Sequence, residues 1–196
     1  MTAMKTLSVQ KRENLGKGPN RRLRVEQTIP GVFYDGQGQN FALQVPAKNM
    51  YKLYEEVGRT TVFNIEYDEN GKRVTRPVLF WDVQYHPVKR GFTHIDFYGV
   101  DLDKEIKLVV PVDFVGVPKG TKLGGHLETY RERISVKGKP LSIPSRVQVD
   151  ISDLGVNDVL SVADIKLPEG VHAAMAANYA VAAVVMHEAA ETEEKA

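Results

Sequence analysis

Met50, Leu53, Tyr54 and Val57 recur at i, i+3, i+4 and i+7, so the spacing predicts an amphipathic helix over 46–57. Gly58 is placed to end it. Residues 60–67 alternate and are rich in β-branched side chains, which reads as a strand. Asp68-Glu69-Asn70-Gly71 then signals a hairpin, with 74–85 returning as the partner strand. Pro77 requires an edge or bulge position there. Shorter strands are expected at 6–10, 32–34, 41–45 and 93–98, with turn material at 35–38. Gly18-Pro19 can open a short helix over 21–26, which Ile29-Pro30-Gly31 is expected to break. Five or six short strands with two helices suit a small barrel carrying helical decoration.

Beyond residue 99 the pattern is strand-dominated. Candidates are 106–110, 112–115, 127–136, 146–151 and 181–186, punctuated by Pro and Gly, with Gly124-Gly125 as a tight turn. Residues 128–136 are polar and alternating, so one face is expected to be solvated. The fold class read from these patterns is mainly β with minor α. It comprises an N-terminal small β-barrel with two helices, a C-terminal β-rich domain and no internal repeat.

Charge sharpens the division. Residues 1–98 hold 15 Lys/Arg against 10 Asp/Glu, whereas 99–196 hold 11 against 15. Thirteen of the 16 aromatic residues also precede residue 99. The expected organisation is therefore one domain over 1–98, a second over 99–187, and an acidic tail over 188–196 too poor in apolar residues to fold. Absence of Cys excludes disulfides, thiol nucleophiles and Cys-ligated zinc, and suits a reducing, cytoplasmic setting. No signal peptide or membrane-spanning run is read.

Most of the positive excess sits in one place. Lys11, Arg12, Lys17, Arg21, Arg22 and Arg24 face the lone acid Glu13, a local net of +5 in a chain whose net is +1. A solvated helix face usually interleaves both signs, so this concentration points to a polyanion, and to nucleic acid first. Tyr34 nearby can stack or donate a hydroxyl. His94-Ile95-Asp96 puts two polar side chains on one strand face. That pair reads either as a surface His–Asp contact or as a base-edge or 2′-hydroxyl contact.

Other chemistry finds little support. Gly16-Lys17-Gly18 lacks the spacing of a phosphate-binding P-loop, and there is no Gly-x-Ser-x-Gly elbow. The five histidines form no His-x-x-x-His pair. No metal or other cofactor is expected. An enzyme acting on phosphorylated substrates would need a carboxylate or histidine cluster beside the basic patch, and the sequence does not provide one.

Several ordered blocks together resemble one bacterial family. They are Arg12…Gly16-Lys17-Gly18…Arg21-Arg22-Leu23-Arg24…Ile29-Pro30-Gly31-Val32-Phe33-Tyr34, then Asp82-Val83-Gln84-Tyr85-His86-Pro87-Val88-Lys89 and His94-Ile95-Asp96-Phe97. In the second half come Phe114-Val115-Gly116, Gly120-Thr121-Lys122-Leu123-Gly124-Gly125 and Val149-Asp150-Ile151-Ser152-Asp153-Leu154. The chain resembles, over nearly its whole length, the large-subunit ribosomal protein that binds 5S ribosomal RNA, in its long two-domain form (the general stress protein Ctc type).

The resemblance implies a non-enzymatic, cytoplasmic, ribosome-associated protein that grips the loop E region of 5S ribosomal RNA. Arg12, Lys17, Arg21 and Arg22 would bind phosphates, Asn20 would add a hydrogen-bonding side chain to the RNA contact, and Tyr34, His94 and Asp96 would complete the RNA surface. Asn20 stands where the family often has Ser, Trp81 where short-form relatives carry Gln, and Asp35 where Gly is common. The implied state is a monomer within the ribosome, with no membrane contact and with the C-terminal domain turned to neighbouring large-subunit components. The alternative is a stress-related RNA-binding protein acting mainly off the ribosome.

Overall fold

The computed structural model describes residues 4–69, 71–88, 91–174 and 178–186. The acidic tail expected over 188–196 lies outside the described residues. Two compact units divide the chain: Met1–Ile106 with Gly138–Ser145, and Lys107–Lys137 with Arg146–Ala196.

In the first unit the elements run β1 (Thr6–Ser8), β2 (Gln10–Lys11), α1 (Lys17–Val25), β3 (Thr28–Asp35), β4 (Asn40–Pro46), α2 (Ala47–Val57), β5 (Phe63–Glu69), β6 (Lys72–Tyr85) and β7 (Phe92–Gly99). Their sheet order is β1-β5-β6-β7-β3-β4-β2. The two outermost strands are consecutive pieces of one segment. β1 runs parallel to β5 and β2 antiparallel to β4. Between them the Val9 amide donates to the Glu66 carbonyl at 2.9 Å. One short N-terminal segment thus satisfies both open edges and nearly closes the barrel, as an all-β sheet requires if its edges are not to stay reactive.

The barrel interior accounts for the aromatic bias of the first half. Phe33, Phe63, Phe80 and Phe97 are fully buried with Leu43, Ile65 and Ile95. Phe63 and Phe80 lie 4.4 Å apart, ring to ring, and Phe80 and Phe97 lie 5.6 Å apart. α2 adds Met50, Leu53 and Val57 to this core, three of the four positions that predicted it. Gly31 is required by close approach: a Cβ there would stand 2.7 Å from the Ile95 carbonyl oxygen and 3.0 Å from Leu43. Thr60, the one buried polar side chain among the described residues, donates its hydroxyl to the Ser145 carbonyl at 3.2 Å.

Two local expectations need correction here. Ile29-Pro30-Gly31 does not form a break but lies inside β3; the chain turns earlier, at Gln27, with φ 54. Pro30 is tolerated because β3 pairs with β7 only from Gly31 onward, so on that side its missing N–H interrupts no ladder. α1 also starts earlier than 21, at Lys17, because Pro19 can sit in a first turn, where its absent N–H is not needed.

In the second unit the strands are β8 (Ile106–Val115), β9 (His126–Thr129), β10 (Arg133–Gly138), β11 (Val147–Asp150), β12 (Val159–Ser161), β13 (Val171–Ala173) and β14 (Ala180–Val185). They form one sheet ordered β11-β8-β10-β13 and another ordered β12-β14-β9. The strand expected over 127–136 is two strands in different sheets. Tyr130 and Arg131 interrupt it, and both donate their amides to the Val181 carbonyl. β8, conversely, runs unbroken through Pro111, because its pairing to β11 begins at Val112. The core here is aliphatic, built on Val110, Ile134, Val136, Val181 and Val184.

Candidate nucleic-acid interface

Gly16 precedes α1 with φ 104, a left-handed value that a side chain would resist. From there the helix presents Lys17, Arg21 and Arg22 exposed. Its first turn carries no acid, and Arg22 and Arg24 in its last turn complement the helix dipole. No residue of α1 is buried, so the helix contributes little to the core. Instead it is pinned at its C-terminal end, where Arg24 Nε donates to the Thr93 carbonyl at 3.0 Å.

The basic run does not act as one free patch. Lys11 lies 4.6 Å from the ring centres of both Phe41 and Tyr67 and pairs with Glu69. Arg12 is half-buried and donates through Nη1 to the Asn20 carboxamide oxygen, while its Nε is buried without a partner. Burial, and then the Arg24 charge, lower the Arg12 pKa, yet a guanidinium stays cationic at any physiological pH. Arg12 and Asn20 thus brace the loop into α1. Lys17, Arg21, Arg22 and Arg24 of the helix are exposed, with Arg24 giving its Nε to Thr93.

The remaining candidates meet on the outside of the barrel. Period-2 alternation sends Ile95 and Phe97 inward, and His94, Asp96 and Tyr98 outward. Parallel pairing of β3 with β7 sets Tyr34 beside Tyr98 and Val32 beside Asp96. His94 Nδ1 lies 2.7 Å from Asp96 Oδ1, which fixes the imidazole plane and leaves Nε2 as its other polar atom. Tyr34 has its phenol pKa raised, first by burial and then by the carboxylates of Asp96 and Asp82. It therefore remains a neutral O–H donor at physiological pH.

Two contributors were missed from the sequence. Asp82 of β6 stands opposite Asp96 in the register, and Arg59 approaches it to 3.2 Å, offsetting the like-charge pair. Asp82 follows a β-bulge, so strict alternation misassigns its face. Arg59 has no local signal at all. Among the described residues no cluster of three or more His, Asp or Glu side chains could hold a metal ion, and no helix is long and apolar enough to cross a membrane.

The arrangement is an outward sheet face of hydrogen-bonding groups beside a short cationic helix. Residues 7–97 match the Ribosomal L25p family, and residues 105–188 match the ribosomal protein TL5 C-terminal domain. The chain is 55% identical over 195 residues to large ribosomal subunit protein bL25 of Desulfovibrio desulfuricans, covering 100% of this chain and 98% of that one. It is 56% identical to the protein of that name from Nitratidesulfovibrio vulgaris, over 94% of this chain and 97% of that one. For Moorella thermoacetica the identity is 33%, over 96% and 90%.

The chain belongs to the Ribosomal L25p family.

As an L25p protein with the TL5-type C-terminal domain, it is a structural, non-enzymatic ribosomal protein of the large subunit, ribosome-associated in the cytoplasm. The mainly β L25p barrel, with its two helices, and the β-rich second region agree with the fold class read from the sequence.

Proposed function

We propose that this L25p-family chain binds 5S ribosomal RNA, at its loop E region, as a constituent of the large subunit. In this reading residues 1–98 carry the RNA contacts. Lys17, Arg21 and Arg22 neutralise phosphates, and Arg12, braced by Asn20, contributes charge beneath them. Tyr34, His94 and Asp96 meet bases or 2′-hydroxyls. The observation that carries the reading is the bond from Arg24 to Thr93, which sets the cationic helix against the strand bearing His94 and Asp96. A phosphate-binding element is thereby held beside a face able to discriminate. Residues 99–187, close to neutral with 10 Lys/Arg against 11 Asp/Glu, would face neighbouring large-subunit components, with the protein a monomer in the particle.

The test is a titration of the full chain with purified 5S ribosomal RNA and with an unrelated RNA of equal length, over a salt series. Preference for the 5S RNA, with affinity falling steeply as salt rises, supports the proposal. Equal affinity for both RNAs with a flat salt response counts against it.

A further inference from the structure

β6 pairs with β7 through Phe80↔Phe97 and then Asp82↔Asp96, so Trp81 is an extra residue with no partner across the ladder. The bulge has a clear effect. Strict alternation after the buried Phe80 would turn Asp82 inward and Val83 outward; with the bulge Val83 is buried and Asp82 reaches the outer face. It also projects the indole. Trp81 is 48% exposed, although a Trp is costly to leave in water.

The indole is not isolated. Its ring lies 5.1 Å from Tyr98, and Tyr98 lies 5.7 Å from Tyr34, so three aromatics form a row along the outer face. Arg59 holds the bulge by donating to the Trp81 carbonyl at 3.4 Å while it pairs with Asp82. Hydrogen-bonding groups line the row at Tyr34, Asp82 and Asp96, while Leu79, opposite Tyr98, is buried. One flat aromatic face among polar side chains, beside a cationic helix, has the composition of a nucleobase-stacking platform.

We infer that Trp81 stacks on an exposed base of the bound RNA, extending the recognition surface from Tyr34 through Tyr98 across β6. This rests on the RNA-binding reading above. Trp81 is the one Trp in the chain, so its fluorescence reports this position alone. Titrating the full chain with 5S ribosomal RNA should change Trp emission with the same midpoint as binding measured by gel shift. Trp81→Ala should weaken binding roughly five- to 150-fold, the range for loss of one base–aromatic stack, with an unchanged salt slope. Trp81→Phe, which keeps a ring in the bulge, should fall between wild type and Ala. Gel-shift binding with unchanged emission and wild-type affinity of Trp81→Ala overturns this inference and leaves the RNA reading intact. An emission change that appears only in the assembled large subunit overturns it in favour of a protein contact. Absence of 5S RNA binding by the wild-type chain overturns both.

Discussion

Arg24 donates through Nε to the Thr93 carbonyl at 3.0 Å, joining the last turn of α1 to the residue preceding His94. No residue of this helix is buried, so the bond does an alignment task that core packing performs elsewhere. Arg24→Lys keeps the charge but loses the planar donor. RNA affinity should fall at every salt concentration with the salt slope unchanged, and amides of α1 should exchange hydrogen faster. Wild-type exchange in the variant would show that the helix is held by other contacts.

Arg21 and Arg22 are exposed on the same helix. Arg21→Ala and Arg22→Ala should each weaken binding to all RNAs alike and lower the salt slope by about one. Gel shifts at several salt concentrations measure both. A variant that loses affinity for 5S RNA alone would mark its arginine as a base reader instead.

Asp96 should behave differently. Asp96→Ala should cost on the order of 1–3 kcal/mol on the cognate RNA, the value of one good base-reading contact, with no change of salt slope because no cation is lost. The melting curve should stay close to wild type, since Asp96 faces away from the core. If cognate preference survives the substitution, Asp96 serves only to orient His94.

Tyr34 predicts an alkaline signature. Its folded-state pKa is raised by burial and then by Asp96 and Asp82, above the ordinary value of 10.0. Below that value the phenol is neutral folded and unfolded, and its contribution to stability is fully present. As pH climbs, the unfolded chain ionises first, so stability falls until the folded phenol also ionises. Urea unfolding across the alkaline range should show a shallower loss for Tyr34→Phe than for wild type; parallel curves would refute the assignment.

Gly31 tests the barrel. A Cβ at this position meets backbone, the Ile95 carbonyl, at 2.7 Å, and that atom cannot rotate away. Gly31→Ala should destabilise by about 1–3 kcal/mol through forced separation of β3 and β7. Thermal unfolding reads the effect, and a wild-type midpoint would mean that the two strands can part without loss.

Parts of the site were legible in the sequence because their signals are local. His94 and Asp96 share a face by the two-residue period, and they are found 2.7 Å apart. The cations of 11–24 were visible as a run, but not their different uses. Lys11 covers the rings of Phe41 and Tyr67, and Arg12 turns to Asn20, because the folded barrel brings those partners within reach. Trp81 gave no sign of its exposure, since the bulge arises only when β6 is matched against the length and faces of β7.

By itself the sequence determined the helix over Met50 to Val57, the hairpin around Gly71, the mainly β character, and a cationic segment with a polar strand face nearby. These follow from periodicity, turn chemistry and charge, which need no knowledge of distant residues. Only the tertiary structure decided that Thr6–Lys11 bridges β5 and β4, that β3 runs parallel to β7, and that residues 127–136 divide between two sheets. Alternation states which face of a strand is apolar but not which strand lies beside it. That choice belongs to backbone hydrogen bonds and close contacts, such as Gly31 against Ile95, between residues far apart in the chain.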